Sequence, residues 1–309
     1  MIPASEQEFS RQRELDTYRI VDSLPEEAYE DIVRLASLVC GAPTALISFI
    51  DRDRQWFKAR TGFDCAQSAR DEAFCDHAIR TPDRLMEVPD ARLDARFESN
   101  PLVTGDSRVR FYAGMPLTTP SGAAIGTVCV LDRQPRRLDD GQRAALAALA
   151  RLTMNLLEGR HRERALQRAA LLAEAPAAPV LAAGDVGYCT LLIVQAQALA
   201  ACAERLGERA VERTLQSLDS LLEAALVPGY GDHVSRVAGS GELIAALHGR
   251  DTQARLQAMV QVLPAFERTH GIRLLHAAAH ADRPDERVEQ IYLRADESLS
   301  RLKDALAAS

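Results

Sequence analysis

Residues Arg236 to Leu247 read R-V-A-G-S-G-E-L-I-A-A-L, a glycine-bearing turn between two apolar runs. Val234 and Val237 precede the turn and Leu243, Ile244 and Leu247 follow it, so the stretch predicts two strands joined at Gly239-Ser240-Gly241, with the glycines supplying backbone freedom. Working outward, Leu191-Leu192-Ile193-Val194 is a short buried strand, and Glu208 to Leu226 is a helix with Val211, Leu215, Leu218 and Leu222 on one face. Beyond the hairpin, Thr252 to Glu267 is helical and Ile272 to Ala278 is strand-like. The chain closes on a helix, Val288 to Leu306, whose Ile291, Ala295, Leu299, Leu302 and Leu306 recur at steps of three and four.

Upstream, Asp139 opens one long helix in which Leu149, Leu152, Leu156, Gly159, Glu163, Leu166 and Ala170 trace a heptad seam weakened at its centre. Ala175-Pro176-Ala177-Ala178-Pro179 breaks it, because proline removes a helical donor. The expected organisation is a first domain over residues 1–158, a linker helix and Pro/Ala break over 159–184, and a second domain over 185–309. The fold class is α+β: two domains, each a mainly antiparallel sheet with flanking helices, joined by a long helix.

The chain has 309 residues, 47% of them apolar and 26% charged, which is enough for two ordinary cores. No apolar run approaches the roughly 20 residues of a membrane helix, and the amino terminus has no apolar signal core, so a cytoplasmic protein is expected, with no membrane partner. A net charge of −7 excludes a broad nucleic-acid footprint. The locally basic Arg160-His161-Arg162-Glu163-Arg164 reads as a solvated helix face. Six cysteines, with no C-x-x-C pair and no histidines at ligand spacing, predict reduced, buried thiols and no metal site.

In the first domain Ser23-Leu24-Pro25-Glu26 has the form of a capping box, opening a helix with Tyr29, Ile32, Ala36 and Val39 on its apolar stripe. Thr44 to Ile50 and Gln55 to Arg60 are antiparallel strands about the charged turn Asp51-Arg52-Asp53-Arg54. Phe111 to Leu117 and Gly126 to Leu131 make a second hairpin. Asp90 to Val109, polar and aperiodic, is expected to be a long loop. Its Arg92, Arg96, Arg108 and Arg110 read either as an anion clamp or as loop-bracing charges. Cys75 and His77 share a face on a strand but diverge by roughly 200° on a helix. Activation of the thiol by the imidazole and a purely structural histidine both stay open.

Four separated pieces of this half resemble a subset of GAF domains, small-molecule sensory modules. They are Asp53-Arg54-Gln55-Trp56-Phe57-Lys58-Ala59, Phe74-Cys75-Asp76-His77-Ala78-Ile79, Val88-Pro89-Asp90-Ala91 with Arg96-Phe97 and Asn100-Pro101-Leu102-Val103, and Arg110-Phe111-Tyr112-Ala113-Gly114 with Pro116-Leu117. The resemblance implies a ligand pocket between a sheet and the segments crossing it, with Trp56, Phe74, Cys75, His77, Arg96, Arg110, Tyr112 and Cys129 as candidates for its lining. It does not name the ligand.

The second half resembles the GGDEF domain, the diguanylate cyclase module of bacterial cyclic di-GMP signalling. The likeness rests on the order strand, helix, helix, strand, strand, helix, strand, helix and on the terminal Arg294-Ala295-Asp296-Glu297-Ser298-Leu299. Phosphoryl transfer in that family needs Mg²⁺ held by anionic oxygens. With Gly239-Ser240-Gly241-Glu242-Leu243 laid on the signature, the acidic third place holds Gly241; a shift of one residue puts Ser240 there instead, and neither is acidic. The two metal-side aspartates of the first strand fall at Gln195 and Gln197, and the guanine-reading asparagine falls at Ala203. Glu212 remains as a base-side candidate. The inhibitory Arg-x-x-Asp keeps Asp232 but has Gly229 for its arginine.

The likeness therefore implies a degenerate, non-catalytic domain with no cofactor and no metal, kept for a protein partner or for ligand reception. A nucleotide receptor for GTP or cyclic di-GMP is the alternative. A thiol-dependent reductase in the first domain is a further one, for which only Cys65 and Cys75 stand close in sequence. The linker-helix seam, with Leu149, Leu152, Leu156 and Leu166 facing a copy of itself, implies a parallel homodimer.

Overall fold

The computed structural model describes residues 4–173, 189–227, 229–237, 240–249, 251–283 and 286–307. The chain divides into two compact units, Met1–Val21 with Pro25–His161, and Asp22–Leu24 with Arg162–Ser309. Each is a mixed unit built on one antiparallel sheet, the α+β class expected. The Pro/Ala break at residues 175–179 and Gly239 of the hairpin turn lie outside the described residues. No helix among the described residues is long and apolar enough to cross a membrane.

The first unit opens with helices α1 (Ala4–Tyr18) and α2 (Glu27–Cys40), then strands β1 (Thr44–Ile50), β2 (Arg54–Thr61) and β3 (Gln67–Ala69). A five-residue helix α3 (Phe74–Ala78), strand β4 (Met86–Val88), helix α4 (Pro101–Thr104) and strands β5 (Phe111–Thr118) and β6 (Ala124–Asp132) follow, before the long helix α5 (Asp140–Ala173). Strand order is β3-β2-β1-β6-β5-β4. Every residue of β1 after Thr44 is buried, so this strand carries apolar side chains on both faces, which alternate with period two. Segments β3–β4 and β4–β5 cross one face, over a core that includes Leu46, Phe57, Phe74, Phe97, Tyr112 and Cys129.

Several expectations need correction here. The helix α2 starts at Glu27 with Glu26 as N-cap and no side-chain capping bond, so Ser23 is not a cap. The reason is that the Glu26 carboxylate is taken by Lys58 at 2.7 Å and Arg160 at 3.1 Å, partners remote in sequence. Arg160 is half-buried and also donates to the carbonyl of Arg19 at 3.1 Å, and Arg164 is buried, so only Arg162 and Glu163 of the basic segment are a solvated face. The heptad seam is split: Leu149 is 7% exposed and lies on the inner face with Leu146, Thr153 and Leu157, whereas Leu152 and Leu156 are 52% and 39% exposed.

The second unit runs β7 (Cys189–Ala196), α6 (Leu199–Leu206), α7 (Glu208–Glu223), β8 (His233–Arg236), β9 (Glu242–His248), α8 (Thr252–His270), β10 (Leu274–His280) and α9 (Val288–Ala307). Its sheet has the order β10-β7-β9-β8, antiparallel throughout. The hairpin registers as expected, with Arg236 opposite Leu243 and Ser235 opposite Ile244. The amphipathic stripe of α7, Val211, Leu215, Leu218 and Leu222, is fully buried and packs into one core with Leu192, Val194 and Leu243.

Candidate functional site

Strand alternation places Ser48 of β1, Thr127 and Cys129 of β6, and Tyr112 of β5 on the same face of the first sheet. Ser48 stands opposite Thr127, Leu46 opposite Cys129, and Gly114 opposite Cys129 on the other side. Gly114 is what lets Tyr112 lie along its strand, because a Cβ at 114 would overlap the Tyr112 hydroxyl. The short helix α3 lies over this patch and drops Cys75 into it.

The resulting contacts are dense. The Cys75 Sγ accepts hydrogen bonds from the Thr127 hydroxyl at 3.1 Å and the Tyr112 hydroxyl at 3.3 Å, and it lies 3.7 Å from the Cys129 Sγ. Ser48 Oγ and Thr127 Oγ1 are 3.1 Å apart. Burial pushes the Cys75 thiol up, but hydrogen bonds from Cys129, Ser48, Thr127 and Tyr112 outweigh it and leave Cys75 below the ordinary thiol range. Cys129 moves the other way: burial, then the hydrogen bond and charge of Cys75, raise it well above. Beside these groups is an enclosed apolar cavity of about 20 Å³, lined also by Phe57, Phe63, Phe74 and Leu102. A cavity of that size holds little more than one water, which needs about 10–15 Å³.

Of the eight candidate residues, Phe74, Cys75, Tyr112 and Cys129 line this small cavity. The other four stand elsewhere. Trp56 sits on the opposite face, its ring 6.3 Å from that of Phe49, because Gln55 and Phe57 take the cavity side of β2. His77 diverges from Cys75 on the helix and packs edge-on against Phe97 at 4.8 Å. Burial lowers its pKa, helped by the charge of Arg80. Arg96 pairs with Asp94 at 2.6 Å, and Arg110 donates to the Val103 carbonyl at 2.8 Å. Arg92 pairs with Asp90 at 2.7 Å, so these three arginines each brace the loop.

The quoted motifs thus have framework reasons. Asp76 holds Arg70 at 2.8 Å and Arg80 at 2.6 Å. Asn100 caps α4 through the Leu102 amide at 2.8 Å and reaches the Glu72 carbonyl at 3.0 Å. Lys58, its side chain fully buried, is neutralised by Glu26. Sequence reasoning missed the pairing of Cys75 with Cys129, which are 54 positions apart and come together only through the covering helix.

On this geometry the comparison with known families is direct. The family model of the GAF domain matches residues 24–157. This segment is a GAF domain. A cyclic di-GMP phosphodiesterase of Pseudomonas aeruginosa is 43% identical over 153 residues, which are 49% of this chain and 26% of that protein. The chain therefore spans about a quarter of that relative's length. Among solved structures, the GAF domain of an Acinetobacter phosphoenolpyruvate-protein phosphotransferase aligns at 15% identity and a TM-score of 0.39, covering 48% of this chain and 95% of that one. A Caulobacter crescentus GGDEF domain solved with cyclic di-GMP aligns at 14% identity and a TM-score of 0.34, covering 38% and 74%.

In the second unit the residues singled out from the sequence are mostly committed to structure. Gln195 has its side-chain oxygen buried without a donor, and Gln197 reaches the Gln195 carbonyl at 3.3 Å. Ala203 and Leu243 belong to the core. Ser240 ties the turn, its hydroxyl donating to the Val237 carbonyl at 2.8 Å and accepting from the Glu242 amide at 3.1 Å. A Cβ on Gly241 would come within 2.8 Å of Leu199 Cδ1 and 2.9 Å of Ala196 Cβ. Glu242 is buried and accepts from the Tyr292 hydroxyl at 2.9 Å, which itself accepts from Arg168 at 2.9 Å. Glu212 is gripped by both terminal nitrogens of Arg236, one at 3.0 Å. Asp232, its side chain fully buried, pairs with Arg255 and accepts from the His248 amide at 2.8 Å.

Proposed function

We propose that the chain is a non-catalytic signalling protein in which the GAF domain is the sensor and residues 185–309 are a degenerate GGDEF domain that passes the signal to a protein partner in a cyclic di-GMP pathway. One observation carries this reading: the three places matched to metal carboxylates hold Gln195, Gln197 and Gly241, and the last is closed by the packing of Ala196 and Leu199. A neutral amide is a poor ligand for Mg²⁺, and losing a metal costs phosphoryl transfer several kcal/mol. Among the described residues no group of three or more His, Cys, Asp or Glu is arranged to hold a metal ion. The phosphodiesterase named above supports the pathway through its own name and its 43% identity over 153 residues.

The protein-partner reading is favoured over a cyclic di-GMP receptor by Asp232. It is what remains of the inhibitory-site pattern, and its carboxylate is already spent on Arg255 and the His248 amide. The exposed Leu152 and Leu156 of α5 support a homodimer through that helix.

The test is incubation of the purified protein with GTP and Mg²⁺ or Mn²⁺, with mass spectrometry for cyclic di-GMP. No product above a denatured control is expected, and turnover would overturn the reading. Calorimetry with GTP and with cyclic di-GMP is expected to give no binding heat. Saturable binding would replace the scaffold with a receptor.

A further inference from the structure

We propose that Cys75 and Cys129 form a redox-active dithiol, with Cys75 attacking and Cys129 resolving, so that the GAF domain takes a small hydroperoxide as its chemical input. This deepens the sensing half of the function above and rests on it only for the consequence of oxidation, since the thiol chemistry is read on the protein itself.

Three observations converge. The two sulfurs are 3.7 Å apart, within reach of a bond of about 2.05 Å if α3 moves toward β6 by roughly the length of that difference. One sulfur is singled out: Cys75 accepts from two hydroxyls, Thr127 at 3.1 Å and Tyr112 at 3.3 Å, an arrangement that stabilises a thiolate. Tyr112 has its own pKa raised by burial and by the neighbouring thiols, so it keeps its proton and stays a donor. Finally, the two thiols line a cavity of about 20 Å³, little more than the space of one water, which excludes a bulky disulfide or peptide oxidant and leaves only the smallest oxidants, for which drawing α3 aside has to open a little more room.

The step balances as follows. The Cys75 thiolate attacks one oxygen of HOOH; an S–O bond forms, the O–O bond breaks, and hydroxide leaves and takes up a proton to become water. The Cys129 thiol then attacks the Cys75 sulfenic sulfur; the S–S bond forms, the S–O bond breaks, and the hydroxyl leaves with the Cys129 proton as a second water. Two thiols lose two electrons and one peroxide is reduced. Because α3 also carries Phe74, whose ring stacks 4.1 Å from Phe97 and 5.3 Å from Tyr112, drawing the helix inward repacks this face of the domain.

The experiment treats the full, reduced chain with one equivalent of hydrogen peroxide at neutral pH. Alkylation under denaturing conditions and non-reducing peptide mass spectrometry follow. The expected result is a peptide linking Cys75 to Cys129, formed at least ten-fold faster than any oxidation of Cys65, the exposed internal control. Cys129→Ser is expected to stop at a Cys75 sulfenic acid trapped by dimedone, and Cys75→Ser to leave Cys129 reduced. Tyr112→Phe keeps both thiols and is expected to slow the linkage several-fold, which reads the site even if a serine variant fails to fold. Cys65 reacting first, or Cys129 oxidising at the parental rate in Cys75→Ser, overturns the proposal. Cyclic di-GMP production would sink the scaffold reading and leave this chemistry standing, and absence of the linkage would do the reverse.

Discussion

Placing a carboxylate at the third place of the hairpin turn, Gly241→Asp, tests whether, on the proposed degenerate-domain reading, the turn still has room for a metal ligand. A Cβ at 241 meets Leu199 Cδ1 at 2.8 Å and Ala196 Cβ at 2.9 Å, both closer than side chains normally approach. Leu199 is buried in the second core, so its side chain can yield only by repacking its neighbours, and Ala196 Cβ has no rotamer to turn away. Overpacking of this kind costs about 1–3 kcal/mol. The carboxylate adds about 1–3 kcal/mol more if it is left without a donor, beside an apolar side chain and the Ala196 carbonyl oxygen. Gly241→Ala isolates the first contribution. Cys202 lies in the same core and serves as a local probe: its labelling by a thiol reagent tracks opening of this unit when reclosing is fast. A loss of about 3 kcal/mol raises the open fraction, and so the labelling rate, by roughly 150-fold. If Gly241→Asp labels as slowly as the parent, or binds Mg²⁺ by calorimetry, the turn has room for a metal ligand and the packing argument is wrong.

Arg255→Leu leaves the fully buried Asp232 carboxylate uncompensated and is expected to cost the second unit about 3–5 kcal/mol, read by the same Cys202 labelling, with Asp232→Asn in the same chain recovering part of it. Gly114→Ala drives a methyl into the buried Tyr112 hydroxyl; a loss of about 1–3 kcal/mol is expected, seen as a lower melting temperature by the fluorescence of Trp56, the chain's one tryptophan. Burial raises the Glu8 carboxyl, but bonds and charge from Arg11 and Arg70 prevail and take it from 4.5 down to about 2. Because this folded pKa is depressed, its stabilisation is full above about pH 4.5 and is lost as pH falls through about 2. Glu8 is half-buried, so solvent screening leaves about 1 kcal/mol; Glu8→Gln should lower stability by that much at pH 7 and by nothing near pH 2. Leu152→Glu with Leu156→Glu is expected to convert a dimer into a monomer by light scattering at tens of micromolar, and a monomeric wild type refutes the seam.

Element type was legible wherever burial had one period. The stripe of α7 and the paired strands β8 and β9 stand where apolar spacing places them, whereas the stripe of α9 holds only through Ile291, Ala295 and Leu299, since Leu302 and Leu306 are exposed. Helix α1 was not foreseen as an element, because only Leu15 and Tyr18 near its end are buried apolar groups and its other contacts are polar and remote: Gln12 donates to Asp51 at 2.9 Å, and Asp16 holds Arg52 at 2.7 Å. The capping box failed for a related reason, since Glu26 meets Lys58 and Arg160 only after folding. At the candidate site the residue types were visible and their partners were not. Cys75 sits two positions from His77, a pairing that spacing suggests and that the helical turn of α3 undoes. Its true neighbour, Cys129, arrives from a strand on the opposite wall.

In the second unit, carboxylates near the hairpin have structural work, so their presence alone does not mark a metal site. Asp232, Glu212 and Glu242 occupy the neighbourhood of the signature hairpin, and each now has a structural partner: Arg255, Arg236 and Tyr292 respectively. Two of the three, Asp232 and Glu242, are buried, and a buried carboxylate persists only with such partners. Their pairing ties the ends of β8 and β9 to the flanking helices α7, α8 and α9. To recover a metal centre the unit would have to free these groups, which exposes the cost of an unpaired buried charge at each, and also open space at Gly241 against Ala196 and Leu199. Those are separate, uncoupled obstacles. A single acidic substitution removes none of them, so on the proposed reading the contacts that hold this half in place also stand against a metal site at the hairpin.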